Sequence, residues 1–186
     1  MGRGHAEALL PAIAGFPGSG RATHILVDVG PGSFTGVRVG LAAARALGFA
    51  WGVPVLGYDC LDLVGAIVRA DHRPTQTFVV AMIGGHGELF WKRLAAHADS
   101  ASPALTSTPI GELAGLLDDE TIYGSGAPQL VAARNGHGLA VPVLPDARRI
   151  MLLPSALRSL PPTPIYGRGA DAKPMAPLPG EAGPAQ

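Results

Sequence analysis

Residues 30–36 combine three glycines, a proline and two hydroxyl side chains within seven positions. Glycine permits positive φ and close backbone approach, and proline fixes its own φ. An apolar run precedes this loop and a run of small residues follows it, which predicts strand, tight loop and helix. Backbone amides at such a helix start can bind a phosphate or another anion. The candidate nucleotide contacts are Gly30, Pro31, Gly32, Ser33, Phe34, Thr35, Gly36 and Arg38.

The spacing separates this loop from the common phosphate-binding motifs. A Walker P-loop requires Gly-Lys and then a hydroxyl residue, whereas Gly36 is followed by Val37 and Arg38. The dinucleotide-binding fingerprint requires its third glycine one position before Gly36. A turn that only lets the next helix pack on the sheet would use the same residues. An anion-binding loop and a structural turn therefore both stay open.

Other residue types that support catalysis or metal binding lack the necessary spacing. The 6 histidines include no pair at the i, i+4 spacing of a helical metal site. The single cysteine, Cys60, excludes an internal disulfide and a cluster of zinc-binding thiolates. Ser33 lacks the Gly-x-Ser-x-Gly context of a nucleophile, and the acidic run at 118–120 is typical of a solvated helix end. We therefore predict no catalytic residue and no metal site.

Length and charge set further limits. The chain has 186 residues, which suffices for one domain or for two small lobes, and 47% of them are hydrophobic. Its formal net charge is zero, which argues against autonomous binding of nucleic acid. No apolar run approaches the length of a membrane span, and no secretory signal is recognisable, so the predicted location is cytoplasmic.

The loop is positioned by the elements on either side of it. We predict a helix at 4–14, a strand at 24–29, a helix at 36–50 and a strand at 53–57, the last three forming a right-handed crossover unit. The second helix carries a small residue at every fourth position from residue 36 to residue 48. This small-residue face either packs inside its own domain or lets a helix of a partner approach closely.

The second half of the chain reads as a further set of α and β elements. Asp59 is a predicted N-cap for a helix through Val68, and 69–75 is a candidate boundary between lobes. Strands at 77–83 and 88–94 with Gly-Gly between them predict a hairpin, followed by a polar loop at 95–108. The remaining predicted elements are a helix at 109–117, a strand at 121–124, and helices at 128–134 and 145–153.

The segment from Gly30 to Leu41 resembles the signature of the TsaB (YeaZ) family, whose members are subunits of the bacterial complex that makes threonylcarbamoyladenosine in tRNA. Segments 5–13, 52–57 and 164–174 are also similar to that family. The resemblance implies an α/β, actin/Hsp70-like (ASKHA) fold of two lobes. The corresponding domains are an N-terminal lobe at 1–70, a C-terminal lobe at 71–174 and a disordered tail at 175–186.

The sequence departs from the family pattern in two places. The family opens with strands that carry an Ile-Asp-Thr-Ser type sequence, whereas this sequence starts at the first helix, so we expect a truncated first lobe. The family hairpin carries Asp-Ala-Arg before Gly-Glu, and here Ile83, Gly84 and Gly85 stand at those positions.

The resemblance also implies a function. The chain would be a non-catalytic scaffold that pairs with TsaD, the subunit that performs the transfer, and a third subunit, TsaE, would join the pair. It would bind no cofactor tightly, with ATP or ADP bound only in the assembled complex. It would meet tRNA only through the complex and could form a homodimer when alone. The implied interface residues are Leu9, Leu10, Ile13, Gly36, Gly40, Leu41, Ala44 and Gly48. The alternative is an enzyme of the same fold, either nucleotide-hydrolysing or peptidase-like.

Overall fold

The computed structural model of the chain describes residues 5–97, 102–119 and 121–167. The first part contains two helices and a two-stranded sheet. In chain order these elements are α1 (His5–Ala14), a 3-10 turn (Pro17–Gly20), β1 (Ile25–Asp28), α2 (Phe34–Trp51) and β2 (Val55–Tyr58). Strands β1 and β2 are parallel, with Ile25 opposite Val55 and Asp28 opposite Tyr58. The predicted strand–helix–strand crossover is therefore confirmed.

Both ends of α2 follow from local sequence. Ser33 is the N-cap, and its hydroxyl accepts a hydrogen bond from the Gly36 amide at 3.1 Å. Gly52 ends the helix in the left-handed conformation with φ of 67°, which a residue without Cβ adopts at little cost. The sequence between these two residues contains no proline, so the helix runs unbroken.

Helix α3 (Cys60–His72) lies between the β1–β2 sheet and a larger sheet, the two sheets in the described part of the chain. Asp59 caps it as predicted, because its carboxylate accepts a hydrogen bond from the Leu61 amide at 2.8 Å. Every residue from Cys60 to Val68 is buried. One side of the helix packs on the large sheet through Leu61, Val64 and Val68. Its other side packs on β2 and on the chain beyond residue 150, through Leu63, Ala66 and Ile67.

The larger sheet has five strands in the order β5-β4-β3-β6-β7. Its strands are β3 (Phe78–Gly85), β4 (Glu88–Leu94), β5 (Thr106–Pro109), β6 (Thr121–Tyr123) and β7 (Leu139–Val141). Strands β3 and β4 form the predicted hairpin, although the turn lies at His86 and Gly87, two residues later than expected. Helices α4 (Ile110–Leu116) and α5 (Ala127–Ala133) cover the face opposite α3, so the sheet is buried on both sides.

Three predicted boundaries need correction. Strand β5 occupies the end of the predicted polar loop at 95–108, because Thr106–Pro109 pairs with the exposed edge of β4. Strand β7 was not predicted, and it is a three-residue edge strand with only one neighbour. The predicted helix at 145–153 is a 3-10 helix, Ala147–Leu152, followed by a second one at Ser155–Arg158. The predicted tail at 175–186 lies outside the described residues.

A buried ionic cluster joins α3 to β4. The Lys92 ammonium lies 2.7 Å from a carboxylate oxygen of Asp59 and 3.1 Å from one of Asp62. Ser102 completes the cluster, since its hydroxyl accepts from Lys92 at 2.6 Å and donates to Asp62 at 2.7 Å. The charged side chains are only 3–4% exposed. Water therefore does little to stabilise the charge of the two carboxylates, and they depend on the Lys92 ammonium.

A third carboxyl group, that of Asp28 at the end of β1, lies under the loop. Its pKa is raised to about 6, mainly by burial; the hydrogen bond from the Gly30 amide opposes the rise, and the charge of Asp59 adds a smaller contribution to it. A raised pKa means that the folded state holds the proton more tightly than the unfolded state. Charged Asp28 therefore lowers the stability of the fold at neutral pH.

Replacement of Lys92 by methionine is expected to lower the free energy of unfolding by about 3–5 kcal/mol, because it leaves two buried carboxylates without their cation. Urea denaturation at pH 7.5 measures the loss. Arg148→Met is the control, since Arg148 is 89% exposed and its ion pair with Asp146 is at the surface; it should change stability by less than about 1 kcal/mol. Equal losses for the two variants would contradict a structural role for the cluster.

Asp28→Asn is expected to stabilise the protein in a pH-dependent way. The asparagine oxygen can still accept the Gly30 amide but carries no charge. The gain over wild type should be small at pH 4, should grow as the pH rises from the unfolded pKa of 3.8 to the folded pKa of about 6, and should then stay level at about 3 kcal/mol up to pH 7.5. Asp146→Asn, at an exposed carboxyl whose pKa Arg148 lowers, should show no such gain. A stability difference for Asp28→Asn that stays constant across this pH range would contradict the assignment.

Candidate functional site

The glycine loop is held from three sides. Gly30 has φ of 107°, and a Cβ there would lie 2.8 Å from the Ile165 carbonyl oxygen, so the position requires glycine. The Gly30 amide donates to Asp28 at 2.8 Å, and its carbonyl accepts from the Cys60 amide at 3.0 Å. The Cys60 thiol donates to the carbonyl of Pro31 at 3.0 Å. The start of the loop is therefore a buried structural turn, which agrees with one of the two interpretations of the sequence.

The remaining candidate nucleotide contacts lie at the surface. Gly30 and Pro31 are buried, whereas the next four residues are exposed: Gly32, Ser33, Phe34 and Thr35. The Ser33 hydroxyl already caps α2 through the Gly36 amide. Nucleotide binding at this loop remains a prediction.

Arg38 is ordered by two aromatic rings. Its guanidinium carbon lies 3.6 Å from the centre of the Phe34 ring and 5.7 Å from that of Tyr166. The Arg38 Nε–H donates to the Tyr166 hydroxyl at 3.1 Å, and the two rings are 5.9 Å apart. We call these three residues the Arg38 cluster. It joins α2 to a segment 128 residues later in the chain. No local pattern predicts that contact.

The predicted interface residues on α2 divide into two sets. Leu41, Ala44 and Gly48 are buried inside the chain, and a Cβ at Gly48 would overlap the side chain of Val55 in β2. These three residues therefore pack α2 on its own sheet. A Cβ at Gly40, in contrast, would have no described atom within 4 Å. Of these four predicted interface residues, Gly40 is therefore the one at which a partner helix would have room.

Helix α1 supplies the rest of the predicted surface. It contacts α2, and its residues Leu9 and Ile13 are half-buried, whereas Leu10 is exposed. Large apolar side chains are exposed on the neighbouring segments as well, with Phe16 after α1 and Phe49 near the end of α2. These exposed apolar side chains are candidates for contacts with a partner.

Burial favours the neutral forms of the acidic groups under the loop. Burial raises the pKa of the Cys60 thiol well above its usual range, and the neighbouring carboxylates of Asp28 and Asp59 raise it further. The pKa of Asp59 is raised as well, by burial, although Lys92 opposes this. The thiol therefore stays protonated at neutral pH and is a weak nucleophile. The sequence predicted neither the ion cluster of Lys92 with Asp59 and Asp62 nor the burial of Asp28. Lys92 is 33 and 30 residues from the two carboxylates in the chain, so no local pattern joins them.

Two kinds of feature are absent from the described residues. These residues contain no group of three histidine, cysteine, aspartate or glutamate side chains that could hold a metal ion. None of their helices combines the length and apolarity needed to cross a bilayer.

Comparison with known sequences gives one family and several relatives. The family model described as "TsaD: tRNA N6-adenosine threonylcarbamoyltransferase" matches residues 2–108. An uncharacterized protein of Mycobacterium tuberculosis is 30% identical over 184 residues, covering 94% of this chain and 80% of its own length. An uncharacterized protein of Mycobacterium leprae is 33% identical over 153 residues. The match covers 81% of this chain but spans only 39% of the length of that relative.

Solved structures share the fold. YeaZ from Pseudomonas aeruginosa superimposes with a TM-score of 0.66 at 20% sequence identity, over 88% of this chain and 86% of its own. An uncharacterized protein described as similar to peptidase YeaZ, also from Pseudomonas aeruginosa, gives a TM-score of 0.63 at 21% identity, over 89% and 85% of the two chains. The predicted actin/Hsp70-like class is confirmed. The chain belongs to the family described by the TsaD model, and its fold is similar to that of YeaZ.

Proposed function

We propose that this chain is a non-catalytic subunit of the complex that transfers a threonylcarbamoyl group to adenosine in tRNA. Its role is to pair with the TsaD subunit and to activate it. The family match and the YeaZ-like fold support a place in this pathway. The observation that carries the scaffold role is the exposed apolar surface of α1 and α2.

That surface is costly to leave in water. Phe49 is 92% exposed, Phe16 is 63% exposed and Leu10 is 52% exposed. Burying one such side chain against a partner contributes about 1.5–3 kcal/mol, so a few of them suffice to drive association. The open space beside Gly40 lets a partner helix approach the α2 backbone closely. Together these features favour helix-on-helix packing between two subunits.

The other parts of the proposal come from the resemblance to the TsaB (YeaZ) family. TsaE joins the TsaD pair, tRNA is bound through the complex, and ATP or ADP is bound only after assembly. Without TsaD, the same apolar surface would pair two copies of this chain. The single cysteine is in keeping with a cytoplasmic location, where thiols stay reduced.

Gly40→Leu tests the pairing. The leucine has room in the isolated chain and improves helix propensity, so the variant should fold, but its side chain occupies the space that a partner helix needs. Titration calorimetry with purified TsaD should show pairing for wild type and a loss of at least about 30-fold in affinity for the variant. An ATP titration of the isolated chain should show no heat of binding.

Gly115→Leu is the matched control. Gly115 is also a helical glycine at which an added Cβ would meet no described atom within 4 Å, but it lies on α4 in the other sheet layer. It should bind TsaD like wild type. Unchanged affinity in Gly40→Leu would exclude this side of α2 from the interface. Tight ATP binding by the isolated chain would favour the nucleotide-hydrolysing alternative.

A further inference from the structure

Arg38 is a cation that is held in place without a described acidic partner. The Phe34 ring and the Tyr166 hydroxyl fix the position of its guanidinium, and its side chain is exposed. The two terminal nitrogens of this guanidinium make no hydrogen bond to the described residues. They form the edge of the fork that binds a carboxylate with two parallel hydrogen bonds. The position of the fork is therefore set before any ligand arrives, which lowers the entropic cost of binding.

Four other cations of the described chain form ion pairs. The ion pairs in that part of the molecule are Lys92 with Asp59 and Asp62, Arg93 with Asp119, Arg148 with Asp146, and Arg149 with Asp71. Arg38 belongs to none of them. Helix α2 itself contains two arginines and no acidic residue. The second arginine, Arg45, donates to the backbone carbonyl of Pro162 at 2.7 Å.

The charged and apolar groups of α2 form one stripe. Phe34, Arg38, Arg45 and Phe49 stand four, seven and four residues apart, which places them on one side of the helix. All four are exposed. Tyr166 and Pro162 lie alongside through their bonds to the two arginines. The surface is cationic and apolar along its length, and its natural complement is acidic and apolar.

We propose that the Arg38 cluster binds a carboxylate side chain of the TsaD subunit, with apolar neighbours of that residue packing on the Phe34 and Phe49 rings. This inference rests on the proposed function and names the chemistry of its contact. The occupant is a partner segment that carries an aspartate or a glutamate. The ion pair becomes desolvated as the aromatic rings are covered, and this strengthens it.

The surroundings favour a carboxylate over a nucleotide phosphate. Arg38 is the only cation among the residues of its cluster. The nearby Ser33 hydroxyl accepts a hydrogen bond from the Gly36 amide. A phosphate group with about two negative charges is usually held by several cations or free amides. A single fork between two aromatic rings fits a singly charged carboxylate.

Affinity for purified TsaD, measured by calorimetry at two salt concentrations, tests the proposal. Arg38→Gln should weaken pairing roughly 30-fold or more, and Arg38→Glu should weaken it further. Arg38→Lys keeps the charge but not the fork, so it should fall between wild type and Arg38→Gln. Arg73→Gln is the matched control, because Arg73 is also exposed with no described ion pair, and it should bind like wild type. Thermal melting checks that every variant folds.

These outcomes distinguish failure of the carboxylate contact from failure of the proposed function. Pairing that is unaffected by Arg38→Gln and Arg38→Glu would overturn the carboxylate contact and leave the proposed function standing. No pairing by wild type would overturn both.

A loss seen only when ATP is present would assign Arg38 to a phosphate and overturn the contact. Light scattering that shows Arg38→Glu disrupting a homodimer but not the TsaD pair would make a second copy the occupant.

Discussion

Burial of α3 on every side is the constraint on which the rest of the structure depends. Its residues Cys60 to Val68 separate the two sheets, so the helix cannot present charge to water in its first turns. Asp59 and Asp62 nevertheless lie there, and Lys92 from β4 neutralises them. An ion cluster of this kind often stabilises less than an apolar core would, but its short contacts favour the observed arrangement of α3 on the sheet. It thereby fixes where the loop at 30–36 can rest.

The proposed interaction surface follows from that arrangement. The loop is tied to α3 through the backbone and thiol of Cys60, and it launches α2 with its small residues on β2. The adjoining side of α2 faces outward with Phe34, Arg38 and Phe49. The buried side gives the crossover unit its core, and the outward side carries the groups from which partner binding is inferred. One helix therefore serves both the fold and the proposed function.

The sequence predicted what depends on local pattern. The loop, α2, the cap at Asp59 and the β3–β4 hairpin follow from glycine positions, a capping side chain and apolar runs. It missed β5 and β7, since short edge strands rich in polar residues or lacking alternation carry no such pattern. The contacts of Lys92 with Asp59 and of Arg38 with Tyr166 span 33 and 128 residues, so only the folded chain brings them together. The same holds for Gly48, whose small size serves β2 and not a partner.

The central claim is that this chain pairs with TsaD through α1 and the outward side of α2. Hydrogen–deuterium exchange of the backbone amides, compared for the chain alone and mixed with TsaD, tests it most directly. The account predicts slower exchange in the complex at residues 7–16 and 34–51, with the β3–β4 hairpin unchanged. Protection confined to the five-stranded sheet or to α4 and α5, with α1 and α2 unaffected, would contradict it.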